Sequence, residues 1–154
     1  MNAYTKTRTV FIAGLTAAAL DITGAIVVYA YLLEVTTTQK LLQSVAAGAL
    51  GKSSYAGGWQ TAALGLLFHT LIALSFAGFY MLIYRYWTKI FSNTFLAGFI
   101  YGCFVWCVMN LLVLPIIVGK EFVFNAKYFF WGIGLIIFCV GVPIGLITGK
   151  SFKS

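Results

Sequence analysis

Four long apolar runs dominate the sequence, at about Val10 to Leu33, Trp59 to Tyr84, Phe95 to Val118 and Tyr128 to Thr148. Each exceeds the roughly 20 residues that an α-helix needs to cross about 30 Å of hydrocarbon. None alternates apolar and polar residues in blocks of about ten, the pattern of a membrane-barrel strand. In lipid every backbone N–H and C=O must be paired internally, and helices are the form left to do it. The sequence therefore predicts an all-α membrane protein, a four-transmembrane-helix bundle forming one domain over residues 1–154.

Composition excludes the soluble alternative. Hydrophobic residues make up 62% of the chain and charged residues 8%, against about 45–50% and about 25% in soluble domains. So few polar side chains cannot cover a water-facing surface. The net charge of +7 does not point to nucleic acid. Its Lys and Arg are scattered singly or in loose pairs between the apolar runs, with no stripe to follow a phosphate backbone. The lipid bilayer is the partner that this pattern implies.

Charge also orients the chain. Lys6, Arg8, Arg85, Lys89, Lys150 and Lys153 fall on one side of the predicted spans. Lys40, Lys52, Lys120 and Lys127 fall on the other, together with Glu34 and Glu121. Six basic residues against four favour the first side as cytoplasmic, with both termini inside. Lys6 and Arg8 precede an apolar run too long for a signal peptide, so the first run is expected to remain as a membrane helix. Tyr4, Trp59, Tyr84, Tyr86, Trp87, Tyr128 and Trp131 stand at run edges, as in an interfacial belt.

Between the first two runs, residues 38–51 carry apolar groups at helical spacing. Leu41, Leu42, Val45 and Ala49 share a face with Ala46, and Gln39, Lys40 and Gln43 lie opposite. Thr36 to Thr38 can cap this segment and Gly51 can close it. It is too short to span, so it is predicted to be an amphipathic helix lying on the outer surface or dipping in as a cap. Pro143 is expected to kink the fourth span, and Pro115 to end or bend the last turn of the third.

The chemistry is sparse. Asp21 is the one acid inside a run, and left ionised in lipid it would cost several kcal/mol. Counting along the helices places Asp21, His69 and Asn110 about 18, 15 and 12 Å below the outer boundary. All three therefore share one slab. Rows of small residues accompany them: Gly14, Ala17 and Gly24 around Asp21, Gly65 beside His69, and Gly98 and Gly102 leading through Trp106 to Asn110. Such rows mark the faces where membrane helices approach closely. Gly141, Gly145 and Gly149 form another on the fourth run.

Two readings stay open for the Asp21–His69–Asn110 group. It can be a packing lock whose members satisfy one another's hydrogen bonds, or a site where a proton or small solute moves. In the second, Asp21 carries the exchangeable proton, His69 relays or tunes it and Asn110 orients the bound species. Gln43, Ser44 and Trp106 are candidates for a pocket wall or gate. No metal site is predicted: one His and one Asp make a poor set of ligands, and Cys103 and Cys107 are only two thiols. No nucleophile motif, phosphate loop or cofactor signature is present, so no enzymatic activity is expected.

The segments Gly14 to Ala30, Leu42 to Lys52 and Gly57-Gly58 through His69, with Tyr101-Gly102 and Val108-Met109-Asn110 through Leu114-Pro115, resemble small four-helix bacterial inner-membrane proteins of uncharacterised function. The resemblance implies that membrane and topology, and no activity. The layout also resembles, more weakly, small multidrug transporters, which carry one essential acid in the first span where Asp21 stands. This chain departs from them in having aspartate for glutamate and a helix in its first loop. A structural or accessory subunit of a larger membrane complex, or of a homo-oligomer, is the other class, with the glycine rows as its contact surfaces.

Overall fold

The computed structural model describes residues 3–118 and 125–153. Lys120 and Glu121, two of the charges between the third and fourth runs, lie outside them. Each apolar run forms a helix, and no strand occurs among the described residues. Helix α1 covers residues 3–32, α-helical over Ala3–Ala25 and π-helical over Ile26–Leu32. Helix α2 is Thr38–Leu50, followed by a 3-10 turn at Gly51–Ala56, and α3 is Gly58–Ile90. Helix α4 runs over 94–118 with a π-helical stretch at Val108–Val113. Helix α5 runs over 126–153 with another at Ile136–Gly141.

The stretches Tyr4–Leu32, Gly58–Ile90, Thr94–Ile116 and Ala126–Phe152 are 29, 33, 23 and 27 residues long, and each contains an 18-residue segment with a mean hydropathy of 2.0 to 2.4. All four are long and apolar enough to cross a membrane, and the chain is a multi-pass, four-helix-bundle membrane protein. Its outside supports this: Leu82, Ile116 and Phe130 are 77%, 73% and 69% exposed. A water-soluble surface rarely shows such side chains together. Both termini lie at one end of the bundle, the terminal end, and α2 lies at the other.

Short polar residues start three helices. The Thr37 hydroxyl accepts from the Lys40 N–H at 3.2 Å, the Asn93 side chain from Phe95 at 2.9 Å, and that of Asn125 from Tyr128 at 3.3 Å. Each satisfies an N–H that the first helical turn leaves unpaired. Gly51 ends α2 at φ 67° and Gly58 opens α3 at φ 58°, a region that side chains with a Cβ disfavour.

Around the bundle, α1 packs on α3 and α5, and α4 packs on α5. Small residues make these contacts close. A methyl built on Gly102 would stand 2.6 Å from the Ile137 Cα, and one on Gly145 2.7 Å from the Gly98 Cα. One on Gly14 would meet the Leu74 Cα at 2.9 Å. Lipid supplies no hydrophobic drive between helices, so this backbone proximity is a principal source of their attraction. The α3–α4 side is different, held by aromatic rings. Tyr80 and Tyr101 meet edge to face at 4.7 Å, the Tyr101 hydroxyl donates to the Phe76 carbonyl at 2.7 Å, and the Trp87 indole donates to the Ala97 carbonyl at 3.0 Å. Together with Ala13, Ala17 and Ile144 these tyrosines fill the core of the terminal half.

Both prolines stand two residues beyond a π-helical stretch: Pro115 after Val113 and Pro143 after Gly141. The helix continues through each, to Val118 and Lys153, so Pro115 does not end the third span. Widened turns receive the ring that would otherwise press on the carbonyl one turn back. The Leu114 N–H accordingly reaches the Met109 carbonyl and the Val142 N–H the Ile137 carbonyl, each five residues back.

Helix α2 does not lie flat on its apolar face. Its buried residues are Leu42, Gln43 and Ala46, while Ala49 is exposed. Gln43 therefore belongs to the buried stripe and not to a solvated face. Its amide donates to the Gly58 carbonyl at 2.9 Å and to the Thr61 hydroxyl at 3.2 Å. Thr61 donates to the Ser54 carbonyl at 2.6 Å, and the Ser54 hydroxyl to the Gln43 carbonyl at 3.1 Å. This ring gives the buried amide nitrogen two acceptors, which offsets much of the cost of burying it. It pins α2 to the start of α3, with Leu42 directly against Gly65.

Candidate functional site

Beneath α2 the bundle is hollow. A cavity of about 340 Å³ is lined by residues of all five helices, and Asp21, His69 and Asn110 are among them. Helix α1 contributes Asp21 and Tyr29, α3 contributes His69 and Phe76, and α4 contributes Met109 and Asn110. Ile136 and Val140 of α5 stand opposite, and Leu41, Ser44 and Val45 of α2 form the roof. The wall is mostly aliphatic. Its polar atoms come from five residues, and no Lys or Arg is among them. The three π-helical stretches all reach it, through Tyr29, Asn110 and Ile136. Widened turns leave room that regular helices would close, a use for which π-bulges are known.

The polar groups stand near one another without satisfying one another. His69 Nε2 lies 3.2 Å from the Ala18 carbonyl oxygen and 3.8 Å from Asp21 Oδ2. A carbonyl can only accept, so Nε2 carries the hydrogen and donates it to Ala18. At 3.8 Å the carboxylate is within ion-pair range of an imidazolium but beyond hydrogen-bond reach. Among the described residues Asp21 accepts no hydrogen bond. Asn110 donates through Nδ2 to the Trp106 carbonyl of its own helix at 3.1 Å, and its amide oxygen is left over. The Asp21 and His69 side chains are 19% and 15% exposed, which keeps them inside the bundle yet reachable from the cavity.

Of the three pocket-wall candidates, Ser44 lines the cavity and the other two do not. Gln43 is 2% exposed, and its amide nitrogen is engaged in the ring that pins α2. Trp106, 5% exposed, turns the other way and meets Phe129 of α5 edge to face at 4.9 Å. It follows Gly98 and Gly102 on the row that faces α5, so its ring packs in that interface. Sequence reasoning missed the Ala18 carbonyl as partner of His69, since backbone acceptors leave no signature. Tyr29 borders the cavity at the widened end of α1.

Cys107 is exposed and Cys103 and Cys139 are partly so, and no group of three or more His, Cys, Asp or Glu gathers among the described residues. Comparison with known proteins returns no matching family model, no match among curated proteins and no match among solved structures. The functional reading rests on the cavity alone.

Proposed function

We propose that this chain binds a small solute in the cavity beneath α2 and moves it, or a proton exchanged with it, across a bacterial inner membrane, with both termini cytoplasmic. The observation that carries the reading is that Asp21, His69 and Asn110 share one cavity wall while forming no hydrogen bond with one another. A packing lock would join them. A site awaiting a ligand leaves their hydrogen-bonding capacity facing the space the ligand fills. Intramembrane acids that face a cavity in this way commonly serve ion or proton pathways. In this scheme Asp21 holds the exchangeable proton or counter-charge. His69, fixed on the Ala18 carbonyl, sits close enough to pair with it when protonated.

The accessory-subunit reading draws less support, because the glycine rows are already occupied. Gly14 faces α3, Gly24 faces α5, Gly65 faces α2, and Gly98, Gly102, Gly141 and Gly145 face one another across α4 and α5. These rows hold the bundle together, so the residues that form them are spent within the chain.

The test is thermal unfolding in detergent of the wild type and Asp21→Asn. A carboxyl kept for function at the expense of stability predicts an unchanged or higher melting temperature in the variant. The variant should also lose potential-driven proton or solute flux in liposomes. A fall of more than about 5 °C, the loss of about 1.3–2.5 kcal/mol or more for a chain of this size, would make Asp21 a structural tie and end the proposal.

A further inference from the structure

On the premise that the cavity is a solute site, as proposed above, its mouth limits the solute. A wall residue that is also exposed marks where a cavity meets the surface. Among the lining residues Ser44 and Gly48, one turn apart on α2, and Leu114 of α4 are exposed, and the others are buried or half-buried. The mouth therefore lies between the edge of α2 and the last turns of α4. Other seams are shut by close contact: Gly65 holds α3 against Leu42 of α2, Gly14 holds α1 against Leu74 of α3, and Gly24 faces Leu135 and Cys139 of α5. Toward the terminal end Tyr80 and Tyr101 fill the bundle. Leu114 belongs to the membrane-crossing stretch Thr94–Ile116, and its neighbours Leu111, Leu112 and Ile116 are exposed as well. A mouth among such side chains, within a span, opens to lipid and not to water.

Passage through hydrocarbon selects against a charged solute of either sign, because an ionised group leaves its water behind and gains no partner on the way. Inside, the open polar groups are of both kinds. The Asn110 amide oxygen accepts, and so does the Ser44 oxygen, whose own proton goes to the Leu41 carbonyl at 2.7 Å. The Tyr29 hydroxyl makes no hydrogen bond among the described residues. It lies over Gly132, another wall residue, 3.4 Å from where a methyl on that glycine would stand. It can donate or accept, and Asp21 carrying its exchangeable proton donates too. With that proton in place and His69 neutral the wall bears no net charge, since no Lys or Arg lines it.

We infer that the occupant is an uncharged amphiphile taken from the leaflet on the α2 side. Its hydroxyl or amide head, which both donates and accepts, sits among Tyr29, Asp21 and Asn110, and its alkyl chain leaves between Ser44 and Leu114 into lipid. The volume of about 340 Å³ lies at the small end of ligand pockets, which run from about 300 to 1,000 Å³. The open mouth allows a chain longer than the cavity itself.

The experiment places the full chain in phosphatidylcholine nanodiscs and follows its melting temperature against the mole fraction of five probes with one chain: decanol, decanamide, decane, decyltrimethylammonium and decyl sulfate. Decanol and decanamide should half-saturate at mole fractions roughly ten-fold below the other three, the margin of one or two hydrogen bonds. At about ten times its half-saturating level decanol should raise the melting temperature by about 3–6 °C. Leu114→Trp sets an indole in the mouth at an exposed position; it should melt near wild type without probe and lose most of the shift. If either charged probe binds as well as decanol, the uncharged class is overturned and the solute site stands. If decane binds as well, the head plays no part and the assignment is overturned. If Leu114→Trp responds to decanol as wild type does, the mouth is misplaced and the route from lipid falls; should that variant fail to fold, Gly48→Phe closes the same mouth from α2. If none of the five shifts the melting temperature, the amphiphile is excluded, while flux in Asp21→Asn liposomes separately decides whether the cavity is a solute site.

Discussion

Replacing Gly65 by alanine tests how α2 is held over the cavity. A methyl on Gly65 would overlap the Leu42 carbonyl oxygen, and it would stand 2.8 Å from the Leu42 carbonyl carbon and 3.3 Å from the Ala46 nitrogen. Carbon atoms in contact sit at about 3.5–4.0 Å, so α2 must retreat from α3 by about 0.7 Å or more. All three obstacles are backbone, and no rotamer change can relieve them. Overpacking of this kind costs about 1–3 kcal/mol, and the absence of a flexible neighbour puts this site at the upper end. For a chain of about 150 residues each kcal/mol lowers the melting temperature by about 2–4 °C, so Gly65→Ala should melt about 6–12 °C below wild type. Fluorescence-detected unfolding in detergent reads this directly. Gly134→Ala is the control, because nothing lies within 4 Å of a methyl there, and alanine favours the helix by about 1 kcal/mol. If Gly65→Ala melts within a degree of wild type, α2 is not seated on Gly65 and the account of the roof is wrong.

Two further predictions use the same assay. Gln43→Leu removes the amide from the ring with Ser54, Gly58 and Thr61 and should cost about 1–3 kcal/mol; an unchanged melting temperature would mean that the ring does not hold α2. Tyr101→Phe deletes the hydroxyl bound to the Phe76 carbonyl and should cost about 0.6–1 kcal/mol. Tyr80→Phe deletes a buried hydroxyl that has no partner and should leave stability unchanged or raised, so the two tyrosines must rank in that order.

The fold class was legible because the constraint on it is local and strict. A run of twenty apolar residues in lipid has one way to pair its backbone, whatever its neighbours do. Depth was legible for a similar reason. Helical rise is fixed, so counting from the ends of the runs put Asp21, His69 and Asn110 in one slab, and all three border one cavity. Direction around the helix was harder to read. Each π-helical turn inserts a residue and rotates the rest of the helix by about 100°, so a periodic reading loses phase at Ile26, Val108 and Ile136. Trp106 and Asn110, on one row in sequence, part company for this reason: the first faces α5 and the second, inside the π stretch, lines the cavity. Gln43 escaped because its burial depends on partners eleven to eighteen residues away. A polar residue on a short helix reads as solvated until those partners are in place.

The two halves of the bundle are packed on opposite principles. At the terminal end, small residues bring α4 onto α5 and a tyrosine layer fills the space between α3 and α4, so that Tyr80, Tyr101 and Ile144 are fully buried. At the α2 end the same helices widen and leave about 340 Å³ between them. Water has few places there, since aliphatic side chains make up most of the wall and an ordered water needs two to four polar partners. The tight half supplies the stability that lets the other half keep an acid without a hydrogen bond and a space without protein atoms. Closing either would strengthen the bundle and remove the cavity beneath α2.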